Sequence, residues 1–206
     1  MSTSRTDLGV VIVSFNTYEL LDACLASLES DIRESGFSAD VWVVDNASTD
    51  GTPERIARRH PAVRIEALEA NRGFAGANNV VLRRWLEPGA DRPTWTLLLN
   101  PDTEVRPGAI AALVGALDAD GRAGVAGPAL VYPDGRFQHA AFRFPGVVQT
   151  VLDLFPVPRL MDSRLNGRYP RSAYANVTPF TIDFPLGACM LVRTDAMAQV
   201  GLLDDG

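Results

Sequence analysis

The chain has 206 residues, 47% of them hydrophobic and 21% charged, which fits one sizeable soluble domain, or one and a small appendage, with a real core. Its net charge of -6 argues against broad nucleic-acid binding, which needs a basic surface to displace counterions from phosphates. A nucleotide ligand stays open, because a bound cation and a few local donors can offset a diphosphate. Nothing in the sequence approaches the ~20 consecutive apolar residues of a membrane span. The short, polar Met1–Asp7 stretch lacks the apolar core of a signal peptide, so the expected location is the cytoplasm.

Strands and helices alternate through the first half. Val10–Val13 is a continuous β-branched run, the pattern of a strand buried on both faces. Leu20, Leu21, Cys24, Leu25, Leu28 and Ile32 then recur at helical spacing, with Asn16 and Glu19 placed as a capping box. A second strand, Val41–Val44, runs into the polar loop Asp45–Gly51, after which Thr52 and Pro53 suit the N-cap and first turn of a helix. Val63–Leu68 reads as a third strand, Asn71–Asn79 as a Gly/Asn-rich loop, and a helix follows to about Leu86. Trp95–Leu99 is a fourth strand, ending at Asn100-Pro101-Asp102. This alternation implies right-handed crossovers and a mostly parallel sheet. In such sheets ligands bind beyond the carboxyl ends of the strands, where these polar loops fall.

The second half is less regular. A helix is expected over Pro107–Leu117, a strand over Gly124–Val131 and a turn at Pro133–Gly135. Long loops are expected over Gly146–Asn176, then a strand at Met190–Val192 and a short helix at Asp195–Val200. Cys24 and Cys189 form no CxxC pair and read as reduced residues, Cys24 in the core.

Three segments carry candidate chemistry. Asp45, directly after an apolar strand, can accept from the N–H of a pyrimidine ring, with a helix N-terminus nearby to face an anion; a well-capped loop is the equal alternative. In Asn71–Asn79 the glycines allow close backbone approach and Arg72 offers a fork of donors to phosphate, although a tight loop before a helix would look the same. Asp102, with Glu104 two residues on, stands at the end of a rigid strand, a good position for a ligand to Mg²⁺ or Mn²⁺ bridging two phosphates. The alternative for Asp102 is a helix cap, and for Glu104 a solvated charge. His60 suits a helix end, and His139 is a candidate for lining an acceptor site.

These segments together resemble glycosyltransferase family 2, in the branch of rhamnosyl- and galactofuranosyltransferases. The match is carried by Val11–Asn16, Val43–Thr52, Asn71–Asn79 and Leu97–Asp102, and more loosely by Gly187–Arg193 with Gly201–Asp205. The resemblance implies an α/β GT-A fold, a Rossmann-like α/β/α sandwich over residues 1–206. Residues 1–120 would be its nucleotide-binding half and 121–206 its acceptor half. It places Ser14, Asn16, Asp45 and Asn46 at the base and ribose. Asn71, Arg72, Gly73 and Asn78 would lie near the base and diphosphate, and Gly187 at the sugar and acceptor pocket. Asn100 and Asp102 occupy the DxD position, with Asn in place of the first Asp, so metal ligation rests on Asp102. The family pattern carries its general base in an element past the Leu202–Asp205 position, expected beyond Gly206; on that reading the chain is a fragment or a truncation.

The implied function is inverting transfer of a sugar, with rhamnose favoured, from a dTDP- or UDP-linked donor. The acceptor would be a saccharide or a polyprenyl-linked saccharide in cell-surface polysaccharide assembly. A sugar nucleotidyltransferase is a rival, but it would want a Gly-rich Arg/Lys loop where Ser14-Phe15-Asn16-Thr17 stands. A non-catalytic nucleotide-sugar-binding module is the other. The apolar stretch from Phe144 to Leu160, beside Arg159 and Arg164, reads first as an ordinary buried segment or dimer contact. Contact with the inner face of the cell membrane is its alternative.

Overall fold

The computed structural model describes residues 6–155, 157–161, 164–175 and 178–206. The chain folds as two compact units, one of residues up to Ala126 together with Gly187–Gly206, the other of Gly127–Leu186.

The first unit begins with β1 (Leu8–Ser14), α1 (Tyr18–Ser35), β2 (Ala39–Asp45), α2 (Thr52–Arg59) and β3 (Arg64–Ala67). It continues through α3 (Gly73–Leu86), β4 (Trp95–Leu99), α4 (Ala109–Ala119) and β5 (Val125–Ala126). The second unit holds the short strands β6 (Leu130–Val131), β7 (Phe137–Gln138) and β8 (Ala141–Phe142), the helices α5 (Val147–Leu154) and α6 (Pro158–Met161), two 3-10 turns and β9 (Phe184–Pro185). The chain then returns to the first unit with β10 (Cys189–Arg193) and α7 (Thr194–Val200).

The six-stranded sheet runs β3-β2-β1-β4-β10-β5. β3, β2, β1 and β4 are parallel, and β10 is antiparallel to both β4 and β5. Helices cover both faces, making the three layers expected of the α/β sandwich. Leu8, Val10 and Ile12 pack with α1, α2 and α4, whereas Val11 faces α3 and α7. This alternation follows from the period of two along a strand, and it explains why β1 has almost no polar positions. Gly9 lies under α3, where a Cβ would stand 2.5 Å from Trp85 Cη2 and 2.7 Å from Pro93 Cγ.

Helix starts depart from the sequence reading. Asn16 does not cap α1: the N-cap is Thr17, without a side-chain hydrogen bond, and Asn16 sits at φ 52. Thr52 is already helical and Gly51 is the N-cap, while Asp50 Oδ1 accepts from the Thr52 amide at 3.0 Å and its hydroxyl at 2.5 Å. These bonds hold the Asp50 carboxyl below the usual range. α3 starts at Gly73, so most of the expected Gly/Asn loop is helix. The strand expected over Gly124–Val131 divides into β5 and β6, one in each unit. The Pro133–Gly135 turn forms, with Gly135 at φ 82 and the Tyr132 amide donating to Arg136 O at 2.8 Å.

The long loops expected over Gly146–Asn176 are partly replaced by α5, whose Val147, Val151 and Leu154 recur at helical spacing. Nor is the apolar run buried. Phe144, Val147, Val148, Val151, Leu154 and Phe155 are between 50% and 82% exposed, and Leu152 turns inward. Two-residue strands and single helical turns supply no layer broad enough to cover the rest. Among the described residues no helix is long and apolar enough to cross a membrane.

Candidate functional site

Parallel register brings the carboxyl ends of β1 and β2 side by side, Ser14 opposite Asp45. Both are buried, at 1% exposure. The Ser14 and Thr17 hydroxyls lie 3.0 Å apart, and Ser14 O accepts from the Asn46 amide at 2.8 Å. Asp45 holds its own loop: its carboxylate takes the Ser48 amide at 2.8 Å and the Ser48 hydroxyl at 2.5 Å. Ser48 Oγ also accepts from the Asn16 amide at 2.8 Å. Asn16 Oδ1 accepts from the Thr49 amide at the same distance. The two loops are thus laced together, and the left-handed Asn16 and Ala47 (φ 69) turn the backbone to allow it. Asn tolerates that region better than most residues.

Asn46 couples this pair to α3. It is 3% exposed. Its Oδ1 accepts from the Arg72 amide at 2.8 Å, and its Nδ2 donates to Asn71 Oδ1 at 2.8 Å and to Gly73 O at 3.3 Å. Asn71 Oδ1 also takes the Gly73 amide at 2.9 Å. Gly73 adopts φ 68, which a side chain would strain. The result presents the exposed Arg72 side chain at the helix N-terminus, where dipole and free N–H groups favour an anion. One turn on, Asn78 is 1% exposed. Its Nδ2 donates to Phe74 O at 2.8 Å, and its Oδ1 has no partner among the described residues.

The third strand end lies across β1, which pairs with both β2 and β4. The Asn100 amide donates to Ala188 O at 2.9 Å, which sets Gly187-Ala188 beside the Asn100–Asp102 turn. Asn100 O takes the Thr103 hydroxyl at 2.7 Å and lies 3.6 Å from Cys24 Sγ. Asp102 is exposed and caps no helix. The N-terminus of α4 is instead met by the buried Asp31, which accepts from the Gly108 amide and, at 2.9 Å, from that of Ile110. Asp102 and Glu104 add their charge to burial in pushing the Cys24 thiol up to about 12. Burial pushes Cys189 up to about 12 as well, and both thiols are free.

Among the described residues no three His, Cys, Asp or Glu side chains converge as a cage for a metal. Asp102 suits a hard cation of the Mg²⁺ or Mn²⁺ type that takes one or two carboxylates and fills its shell with phosphate oxygens and water. His60 plays no part here. It is buried between Asp22 Oδ1 at 2.9 Å and Glu29 Oε1 at 3.1 Å, tying the end of α2 to α1. His139 packs edge-on to Phe137, with ring centroids 4.8 Å apart, in an aromatic group that includes Tyr174. A cavity of 380 Å³ lined by Thr6, Asp40, Trp42, Arg64 and Arg84 opens at the amino ends of the strands, the edge opposite these loops. Its arginines are held by Asp40 at 2.8 Å and Glu66 at 2.7 Å.

Two features escaped the sequence reading. Asn79 clamps the C-terminal segment: its Nδ2 donates to Leu203 O at 2.8 Å and Asp205 Oδ2 at 3.0 Å, and its Oδ1 accepts from the Leu203 amide at 3.1 Å. Arg83 adds 2.9 Å to Asp205. Ser48 is the other, as the hydroxyl shared by both loops.

The chain is similar to several known proteins. An N-acetylglucosaminyl-diphospho-decaprenol L-rhamnosyltransferase of Mycobacterium tuberculosis is 30% identical over 203 residues, which are 96% of this chain and 65% of that protein. The succinoglycan biosynthesis protein ExoO of Rhizobium meliloti is 34% identical over 116 residues, 56% of this chain and 31% of that one. The fold resembles S. aureus TarS 1-349 in complex with UDP-GlcNAc, with TM-score 0.58 and 16% identity over 94% of this chain and 47% of that one. It also resembles the mannosyltransferase PcManGT of Pyrobaculum calidifontis in complex with GDP-Man and Mn2+, with TM-score 0.56 and 22% identity over 98% and 49%. The chain thus spans between about a third and two thirds of the length of these proteins, and it shares the GT-A type of fold with the two solved structures. Residues 9–201, nearly the whole chain, match glycosyl transferase family 2, and the chain belongs to that family.

Proposed function

We propose that the carboxyl edge of the sheet binds a nucleoside-diphosphate sugar and serves inverting glycosyl transfer, with rhamnose on dTDP or UDP as the favoured donor. The supporting observation is Asp102, an exposed carboxylate on a rigid strand end, on the same sheet edge as Asp45, Asn46 and the Arg72 helix start. Residues 1–120 serve the donor and 121–206 the acceptor. The acceptor is a saccharide or a polyprenyl-linked saccharide at the inner face of the cell membrane, in keeping with the mycobacterial relative's name.

Each residue has a role in this reading. The Ser14–Asn16 backbone and Asp45 meet base and ribose, with the Ser48 bonds fixing the carboxylate. Asn46 holds Asn71 and Arg72 in place, so that Arg72, at the start of α3, receives the diphosphate. Asn78 presents a buried acceptor from the same helix. Asp102, with Asn100 beside it in the donor site, would hold the divalent cation, which when bound offsets charge on the leaving diphosphate. Gly187, where an added Cβ meets nothing within 4 Å, leaves room for the sugar.

Calorimetry with dTDP, UDP, GDP and CTP, with and without Mn²⁺, tests the reading. Metal-dependent binding of one pyrimidine diphosphate is expected, and equal, metal-independent binding of all four would contradict it.

A further inference from the structure

We propose that the exposed apolar face of α5 docks the protein on an anionic lipid surface. At about 100° per residue, Val147, Val148, Val151, Leu154 and Phe155 cover an arc of roughly 120°, the width of a helix face meant to be covered. Within its own unit the helix packs on its other side, where Leu152 is buried and Gln149 lies so close over Gly167 that a Cβ there would collide with the side-chain amide. Phe144 and Val157, both exposed, extend the apolar strip beyond each end of the helix.

Charge selects the occupant. Residues 143–171 carry five arginines, Arg143, Arg159, Arg164, Arg168 and Arg171, against Asp153 and Asp162, a net of +3 in a chain whose total is -6. The exposed Arg143 and Arg159 bracket the apolar strip. An apolar strip flanked by cations matches an interface of acyl chains under anionic headgroups. A second copy meeting it face to face would instead set like charges together. The inference deepens the lipid-linked-acceptor reading and rests on it for its purpose, although binding to vesicles requires neither nucleotide nor sugar.

The test is flotation of the chain with vesicles of phosphatidylcholine, pure or with about one third phosphatidylglycerol, at low and high salt. The chain should float with the anionic vesicles, less so at high salt. Val147→Asp combined with Leu154→Asp should lower partitioning at least ~10-fold, with an unchanged melting temperature because both sites are exposed. Arg159→Glu should weaken binding to anionic vesicles alone. Failure of the unaltered chain to float, or flotation indifferent to the double variant, overturns the proposal. So does a dimer in sedimentation velocity that the double variant dissolves while no flotation occurs. Nucleotide calorimetry on the same samples separates the two readings: nucleotide binding without flotation removes only the docking surface, and flotation without nucleotide binding removes only the donor site.

Discussion

Asn46 offers the sharpest quantitative test of the site's construction. Replacing it with Ala removes three hydrogen bonds, to the Arg72 amide, Asn71 Oδ1 and Gly73 O. A net contribution of about 0.5–1.5 kcal/mol per bond gives roughly 2–4 kcal/mol at most. Arg72 and Asn71 are exposed, so water recovers part of this and about 2 kcal/mol is the expected loss. For a domain of this size that is a fall in Tm of about 4–8 °C, measurable by scanning calorimetry. Asn46→Asp should be no better than the Ala variant. It keeps the acceptor for the Arg72 amide but points an oxygen at Asn71 Oδ1 and Gly73 O, where a donor is required. Either a Tm within 1 °C of the parent for Asn46→Ala, or an Asp variant as stable as the parent, would refute the coupling of β2 to α3.

Gly9→Ala should lose about 1–3 kcal/mol by overpacking against Trp85 and Pro93, read as a lowered denaturation midpoint with unchanged slope. Cys24 and Cys189, with thiols pushed up to about 12, should stay unmodified by iodoacetamide at pH 8 until the chain is denatured; rapid labelling of the native protein would contradict their burial. Hydrogen bonds from Asn79 and Arg83 hold the Asp205 carboxyl below its usual range. Its contribution is therefore fully present above the unfolded carboxylate pKa of about 3.9 and is lost as pH falls through the lower folded value. Amide exchange at Leu203 should rise in that acid window, and Asn79→Ala should raise it already at neutral pH.

Much of the sheet was legible because β1 and β4 are apolar runs buried on both faces, and the strand-end positions of Ser14, Asp45, Asn100 and Asp102 follow from where those runs stop. The start of α3 was not. Gly73, Gly76, Asn78 and Asn79 have loop-forming composition, and burial overrides it: Gly76 lies close to Arg72 and Asp205, and Asn79 bonds to a segment 124 residues away. No local pattern announces a partner at that distance. Asn16 misled for a related reason, since its side chain serves the Thr49 amide of the neighbouring loop instead of its own helix. The apolar stretch after Phe144 suggested burial by composition alone, whereas its surroundings are too slight to cover it.

In the proposed function Asp102 makes donor binding depend on a cation. Its side chain is exposed and caps no helix, so Asp102→Ala should change stability by no more than about 0.5 kcal/mol, as surface substitutions usually do. Calorimetric titration of that variant with the pyrimidine diphosphate, with and without Mn²⁺, is the most direct measurement. On the proposed reading the metal-dependent part of the affinity disappears while the fold persists. Binding equal to the parent's, and equally enhanced by Mn²⁺, would contradict it.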